Sequence, residues 1–373
     1  MIHEFFLTEW FFDLLRWLYS VLGNSYFLAI FVTTLALRLI QILPDISSRK
    51  SQRKQAALQP ELEKLQKRYQ DNPQKLNQEQ SKLMKENGVN MLSGCLPMLL
   101  TLPIFFCFLA AFRFWGYEQT LKLTYETIIS EQQLVAHAEV IDWENGNSDE
   151  NWAKWENTIA AKTYESFRFL WITNIWQPDN GFKPVVSTAA DVKKYPKIEN
   201  LVLFHKGYTD LDGNTVNGED IWQTFVDNGI AEGEFGSENM KLLSSSEAEE
   251  KYDKLMSLYK RGYNNGLFIL PILAAGFQLL AAWLPQRKQK KENPNAAQAA
   301  KSMNFMMWLF PAMSFYFCLT ATSAFALYWV LSSVFTVVSS AIINAILDKK
   351  PVVLTPKKQE ERVNPRHYYS KKK

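Results

Sequence analysis

The chain is predicted to be an all-α polytopic membrane protein. It has five transmembrane helices, a cytoplasmic helical hairpin after the first, and a mixed extracytoplasmic insertion after the second. Three observations predict this. Five apolar runs, at 26–43, 91–114, 267–284, 303–319 and 321–347, are each near or above the ~17 residues a helix needs to cross a bilayer. Polar segments separate them and hold the mean hydropathy at −0.19, so the average conceals segregation. Charge sorts with the segments. Residues 45–90 carry ten Lys/Arg against six acids, 285–302 five against one, and the tail from Asp348 nine against three, whereas 116–265 carry fourteen against twenty-five. Basic segments stay in the cytoplasm. That places the N-terminus outside and the C-terminus inside.

Taken in order, residues 1–23 alternate bulky apolar groups (Trp10, Phe11, Leu14, Leu15, Trp17, Leu18) with Glu9, Asp13 and Arg16. This pattern suits an amphipathic helix lying in the membrane interface, with a sixth span as the competing reading. The first span, 24–44, carries Arg38 inside its apolar run. At about 100° per residue, Thr34, Arg38, Gln41 and Asp45 fall within roughly 60° of one another, a polar stripe along one side of the helix. An intramembrane cation is costly and marks a functional site by default. An Arg that snorkels to the interface is the competing reading.

From 45 to 90 the chain forms a hairpin. Leu58, Leu62, Leu65 and Tyr69 repeat as a coiled-coil seam. Asp71-Asn72-Pro73 turns the chain, and Leu76 and Leu83 supply the returning seam until Gly88. Its Lys- and Gln-rich outer faces read as solvated, or as a partner surface. The second span, 91–115, holds Pro97 and Pro103, the third, 266–284, Pro271, and the fourth, 303–320, Pro311. Prolines are tolerated in spans because neighbouring groups satisfy the freed carbonyls. The third also carries Gln278. The fifth, 321–347, has Ser332, Thr336, Ser339 and Ser340 along one side and Trp329 in its outer half. Such hydroxyls accompany tight helix packing as readily as a binding surface.

The extracytoplasmic segment 116–265 is expected to begin with a helix at about 118–141 and to close with one at about 246–261. Phe169-Leu170-Trp171-Ile172 is apolar enough to dip into the interface or dock on the bundle, and the residues beyond Pro184 are expected to form a small unit of their own. A cytoplasmic loop at 285–302 and a basic tail at 348–373 complete the chain. Cys95, Cys107 and Cys318 all lie in apolar runs, so no disulfide framework is implied.

Enzyme chemistry finds no support. G-x-x-x-x-G-K-[ST], H-E-x-x-H and G-x-S-x-G are absent. His3, His137, His205 and His367 lie on different segments, and the five core spans hold neither His nor Asp. Neither a metal nor another cofactor is expected.

Gln59-Pro60-Glu61-Leu62, Tyr69, Gly88-Val89-Asn90, Gly94-Cys95-Leu96-Pro97 and Leu102-Pro103-Ile104-Phe105 follow one another between the hairpin and the second span. Together with Phe169-Leu170-Trp171-Ile172, Ile269-Leu270-Pro271-Ile272 and Leu327-Tyr328-Trp329, they resemble the bacterial YidC-type membrane protein insertases of the YidC/Oxa/Alb family. Arg38 matches the arginine that family members carry in their first core span. The resemblance implies a five-helix insertase core in the bacterial cell membrane, with a hydrophilic groove open to the cytoplasm and the lipid. Arg38, Thr34, Gln41, Gln278, Ser332 and Thr336 would line the groove, with Trp329 as a wall. Nascent membrane proteins and the lipid bilayer would be its partners. The hairpin and tail would contact ribosomes or incoming chains, the protein would work alone or with the Sec translocon, and no DNA partner is implied. Two departures stand out. The large insertion lies between the second and third core spans instead of behind an N-terminal anchor, and the last turn reads Thr320-Ala321-Thr322-Ser323-Ala324 in place of a Pro-Ala-Gly-like sequence. A scramblase or solute transporter lined by the same stripe is the alternative function, and a purely structural assembly factor is the third.

Overall fold

The computed structural model describes residues 6–89, 96–146, 148–259, 264–292, 300–349 and 352. Expectations for Gly94, Cys95, residues 293–299 and nearly all of the tail therefore fall outside the described residues. Four helices open the chain: α1 (Phe6–Val21), α2 (Tyr26–Arg68), α3 (Pro73–Glu86) and α4 (Leu96–Ala136). Six shorter ones follow, α5 (Asp149–Trp155), α6 (Ile159–Ser166), α7 (Ala189–Val192), α8 (Val202–Lys206), α9 (Gly218–Asp227) and α10 (Ser246–Met256). Long helices α11 (Ile269–Glu292), α12 (Ala300–Thr320) and α13 (Ser323–Asp348) close it. Two antiparallel two-stranded ribbons, β1 (Tyr208–Thr209) with β2 (Thr215–Val216) and β3 (Ala231–Glu232) with β4 (Lys241–Leu242), flank α9. The fold is mostly helical with few strands. Among the described residues, α2 and α13 are long and apolar enough to cross a membrane, while 269–284 and 307–320 are shorter apolar stretches.

Contacts divide the chain into two compact units, one of residues 1–40 and 101–340, the other of 41–100 and 341–373. The first is organised around a single hydrophobic cluster that includes Phe12, Leu15, Tyr26, Phe108, Trp115, Trp176, Trp222 and Phe325. Tyr26, at the start of α2, is its hub. Its ring stacks on Tyr19 at 4.3 Å and meets Trp115 and Trp176 edge-on at 5.5 and 5.0 Å, while its hydroxyl donates to Gln119 Oε1 at 2.9 Å. The buried aromatic ends of the hub are thus satisfied as well as packed.

The same cluster continues through Val186, Tyr195, Leu201, Phe204, Met240 and Tyr252. Contrary to expectation, the residues beyond Pro184 are no separate unit. A stretch of short helices and two-residue strands buries too little surface to hold itself together and borrows the shared core. Phe169 stacks on Phe27 of α2 at 5.1 Å, so the 169–172 segment docks on the helices.

Helix limits also differ from expectation in instructive ways. The run expected as the second span and the helix expected at 118–141 are one helix, α4, because nothing between Phe114 and Ala136 breaks it. It stops where Ala138 takes φ 62°. Gly116 sits within it and allows a close approach, since a Cβ there would lie 3.3 Å from Thr322 Cγ2. The closing helix of the segment ends at Met256 and tightens into a 3₁₀ turn at Ser257–Tyr259. Helix α2 likewise runs through Pro44 and Pro60. Each proline forfeits one backbone hydrogen bond at a cost of about 3 kcal/mol, too little to end a helix fixed by packing along its length.

In the second unit, Leu58, Leu62 and Leu65 of α2 pack on Leu83 and Met84 of α3 and on Val89, with Tyr69 and Leu76 at the edge. The cluster contains the residues of the expected seam and adds Met84 and Val89 to them. Asn72 caps α3 by accepting from Lys75 N at 3.0 Å, and Pro73 occupies the first helical position. Lys54 Nζ closes the hairpin by donating to Asn87 O at 3.2 Å. Near Asn344 and Asp348 the unit holds Arg49 and Arg53, at 3.5 and 3.4 Å respectively.

Candidate functional site

Arg38 of α2 reaches Ser332 of α13. Its Nε donates to Ser332 Oγ at 2.9 Å, and its Nη2 contacts the same oxygen. The helical context explains why this hydroxyl is the acceptor. Thr34 Oγ1 donates back to Ile30 O at 2.6 Å, Ser333 Oγ to Trp329 O and Thr336 Oγ1 to Ser332 O, both at 2.8 Å. Those protons are spent within their own helices. Ser332, itself buried, faces the guanidinium instead. A neutral hydroxyl oxygen thus accepts from two of the guanidinium nitrogens across the two helices.

Thr34 is fully buried one turn from Arg38, and Thr336 lies one turn from Ser332. Trp329 packs edge-on to Phe105 at 4.9 Å and stacks on Phe325 at 5.9 Å, so it forms part of an aromatic wall. Its buried Nε1 has no hydrogen-bond partner among the described residues. Gln41 is half-buried on α2 in the second unit, and Gln278 is half-buried on α11, where α11 packs along α12. Cys107 and Cys318 are buried free thiols, and no cluster of His, Cys, Asp or Glu able to hold a metal occurs among the described residues.

Sequence reasoning missed a polar belt at residues 174–179. Asp179 is fully buried and accepts from Leu267 N at 2.8 Å, Phe268 N at 3.0 Å, Leu270 N at 2.7 Å and Trp171 Nε1 at 3.2 Å. It therefore caps α11 from 88 to 91 residues away in sequence. Gly266 makes room, because a Cβ there would sit 2.0 Å from Asp179 Oδ1. Asn265 Nδ2 bonds the carbonyls of Asn174, Gln177 and Pro178 at 2.8, 3.0 and 3.0 Å. Ser323 N and Oγ donate to Gln177 O at 2.9 and 2.6 Å, and Ala324 N to Ile175 O at 2.8 Å. One short segment thus satisfies the first turns of both α11 and α13. The Thr320–Ala324 departure noted above supplies Ser323 for this purpose.

A buried carboxyl also joins α1 to the 116–265 segment. Glu118 of α4 accepts from Leu203 N at 3.0 Å and faces Arg16 Nη1 at 3.4 Å. Burial outweighs both and pushes its pKa up to about 7. Asp13, on the same face of α1 as Arg16, pairs with Lys206 at 3.7 Å.

Comparison with known proteins bears on what these helices belong to. The family model described as 60Kd inner membrane protein matches residues 17–204 and 225–350. The chain belongs to that family. It is the YidC/Oxa/Alb family to which the hairpin and span motifs point. The match takes in most of the segment expected as an insertion and passes over residues 205–224, which contain the β1–β2 ribbon. Among curated relatives, a membrane protein insertase YidC of Clostridium perfringens is 50% identical over 84 residues, covering 22% of this chain and 35% of the relative. Proteins of the same name from Chlorobium limicola and Clostridium tetani are 42% identical over 97 residues and 41% over 101, covering 16% and 46% of their lengths and 26% of this chain in each case. The matched part of the chain thus spans less than half the length of each of these relatives.

Proposed function

We propose that this member of the 60Kd inner membrane protein family is a membrane protein insertase and chaperone of the bacterial plasma membrane, acting by binding rather than by catalysis and without a cofactor. The observation that carries the reading is the Arg38–Ser332 contact between two long apolar helices. Five core spans, the 45–90 hairpin and tail in the cytoplasm, and the 116–265 segment outside form the accompanying topology.

The physical task divides in two. Burying ~20 apolar residues drives a segment into lipid, and carrying its short polar tail across is the barrier. A cation held on a hydroxyl lowers that barrier. It attracts an acidic tail, and the membrane potential favours movement of negative charge outward, by about 2.3 kcal/mol per charge per 100 mV. Thr34, Gln41, Gln278, Ser332 and Thr336 are assigned to the polar lining and Trp329 to its apolar wall. Nascent membrane proteins are the substrates, and the Sec translocon and ribosome are further partners through the hairpin and tail.

Proteoliposomes containing only this chain test the proposal. A single-span substrate with a short acidic N-tail is expected to become protease-protected with wild type, weakly with Arg38→Ala, and not at all with Arg38→Glu. Ser332→Ala should cost only a few-fold, since it removes one acceptor and leaves the guanidinium in place. Equal insertion by wild type and Arg38→Glu would remove Arg38 from the mechanism.

A further inference from the structure

A concavity lined by none of the residues of the Arg38 contact lies in the first unit between α4, α12 and the loop residues 176–195. Its volume is about 630 Å³, within the range of small-molecule sites. The wall is apolar. Phe106 and Leu109 of α4 and Tyr316 and Phe317 of α12 form it, and Phe106 and Tyr316 are exposed. The rim is basic. Arg113, Lys183 and Lys194 line it against one acid, Asp191, whose carboxylate accepts from Thr188 Oγ1 at 2.9 Å. Arg113 rests on the Tyr117 ring with its carbon 5.5 Å from the centroid. Neither Lys183 nor Lys194 makes an ion pair among the described residues.

This local sign is opposite to its surroundings, for 116–265 as a whole carry twenty-five acids against fourteen bases. Phe106 and Arg113 are seven residues apart on one helix, or about 10 Å along its axis. An apolar wall rising over that distance into a cationic rim matches the change from acyl chain to headgroup in a bilayer.

We propose that this groove binds one phospholipid with an anionic headgroup, its phosphate held by Arg113, Lys183 and Lys194 and an acyl chain laid along Phe106, Leu109 and Phe317. The site takes a lipid rather than an acidic peptide because its wall continues onto exposed aromatic residues of two long helices, where a peptide tail would gain nothing. The inference rests on α4 and α12 being membrane helices, and it is independent of Arg38.

Native mass spectrometry of the full chain in detergent, titrated with phosphatidylglycerol or with phosphatidylcholine of the same acyl chains, tests it. Wild type is expected to retain phosphatidylglycerol preferentially. Reversing both lysines (Lys183→Glu with Lys194→Glu) should weaken retention roughly tenfold or more, since two attractions to the headgroup become repulsions. The Arg pair at the same positions should restore it. Both lysines are exposed, so a thermal melt of the variants should match wild type. Equal retention of the two lipids, or no loss on charge reversal, would overturn the proposal. Displacement of the lipid by millimolar inorganic phosphate, or by an acidic peptide, would overturn it in favour of a site for that ligand.

Discussion

At the residue scale, three side chains show how burial changes what a charge does. Ser332 is one hydroxyl among several on α13, and it faces Arg38 where Ser333 and Thr336 beside it bond to their own backbone. Asp179 caps the start of α11, its buried carboxyl accepting three backbone N–H groups there and the Trp171 indole N–H. Asp179→Asn turns a donor toward those donors, and a loss of roughly 2–4 kcal/mol in the unfolding free energy of the full chain is expected. Gly266→Ala should act in the same direction by pushing the carboxylate away, and an unchanged melting temperature for both variants would contradict the capping role. Glu118 illustrates the opposite case, a carboxyl whose affinity for a proton is raised by burial. Its pKa is pushed up to about 7, against about 4.5 for a carboxyl in water. Between those values the folded state holds a proton that the unfolded state has released, so stability is full below pH 4.5 and falls as pH rises to about 7, by up to roughly 3 kcal/mol. Arg16 offsets part of this, and Asp13, paired with Lys206, adds to it. Glu118→Gln is expected to flatten the dependence of melting temperature on pH across that window. Glu126, also raised by burial, retains its own share.

At the scale of the element, seams and caps account for the hairpin, and continuity accounts for the long helices. The α2–α3 hairpin has a small core of its own, in which Leu58, Leu62 and Leu65 meet Leu83 and Met84. Its turn depends on Asn72. Asn72→Ala removes an N-cap worth about 1 kcal/mol, and hydrogen exchange of the first turn of α3 should quicken about fivefold while amides near Tyr26 stay unchanged. The long helices α2 and α4 persist through Pro44, Pro60 and Pro103 because tertiary packing outweighs a local preference. Most expected elements were legible as pattern. Their joints were not, since a helix that leaves one environment for another shows a change of composition and no change of backbone.

At the scale of the whole molecule, the residues of 116–265 belong with the helices of the first unit instead of forming an appended body. The family match passes over 205–224, where β1 and β2 are joined by Asp210–Asn214 and Lys162 makes an exposed pair with Asp212 at 3.1 Å. Such a pair contributes little. Replacing Asp210–Asn214 by a two-residue Asn-Gly turn is expected to leave both the melting temperature and insertion in proteoliposomes within error. A large loss of insertion would show that the ribbon has a functional contact.

The sequence alone determined the apolar runs, the sorting of charge, the hairpin seam and the family motifs, because each is a property of neighbours in the chain or of residues at a fixed helical period. It also singled out Arg38, since a lone cation in an apolar run is anomalous wherever the helix packs. Only the tertiary structure decided which hydroxyl that cation meets, that residues 174–179 cap two distant helices, and that Glu118 is buried against α1. Those are contacts between segments from 85 to 294 residues apart. No local pattern encodes them, because the partners are chosen by the geometry of packing, which exists only once the chain has folded.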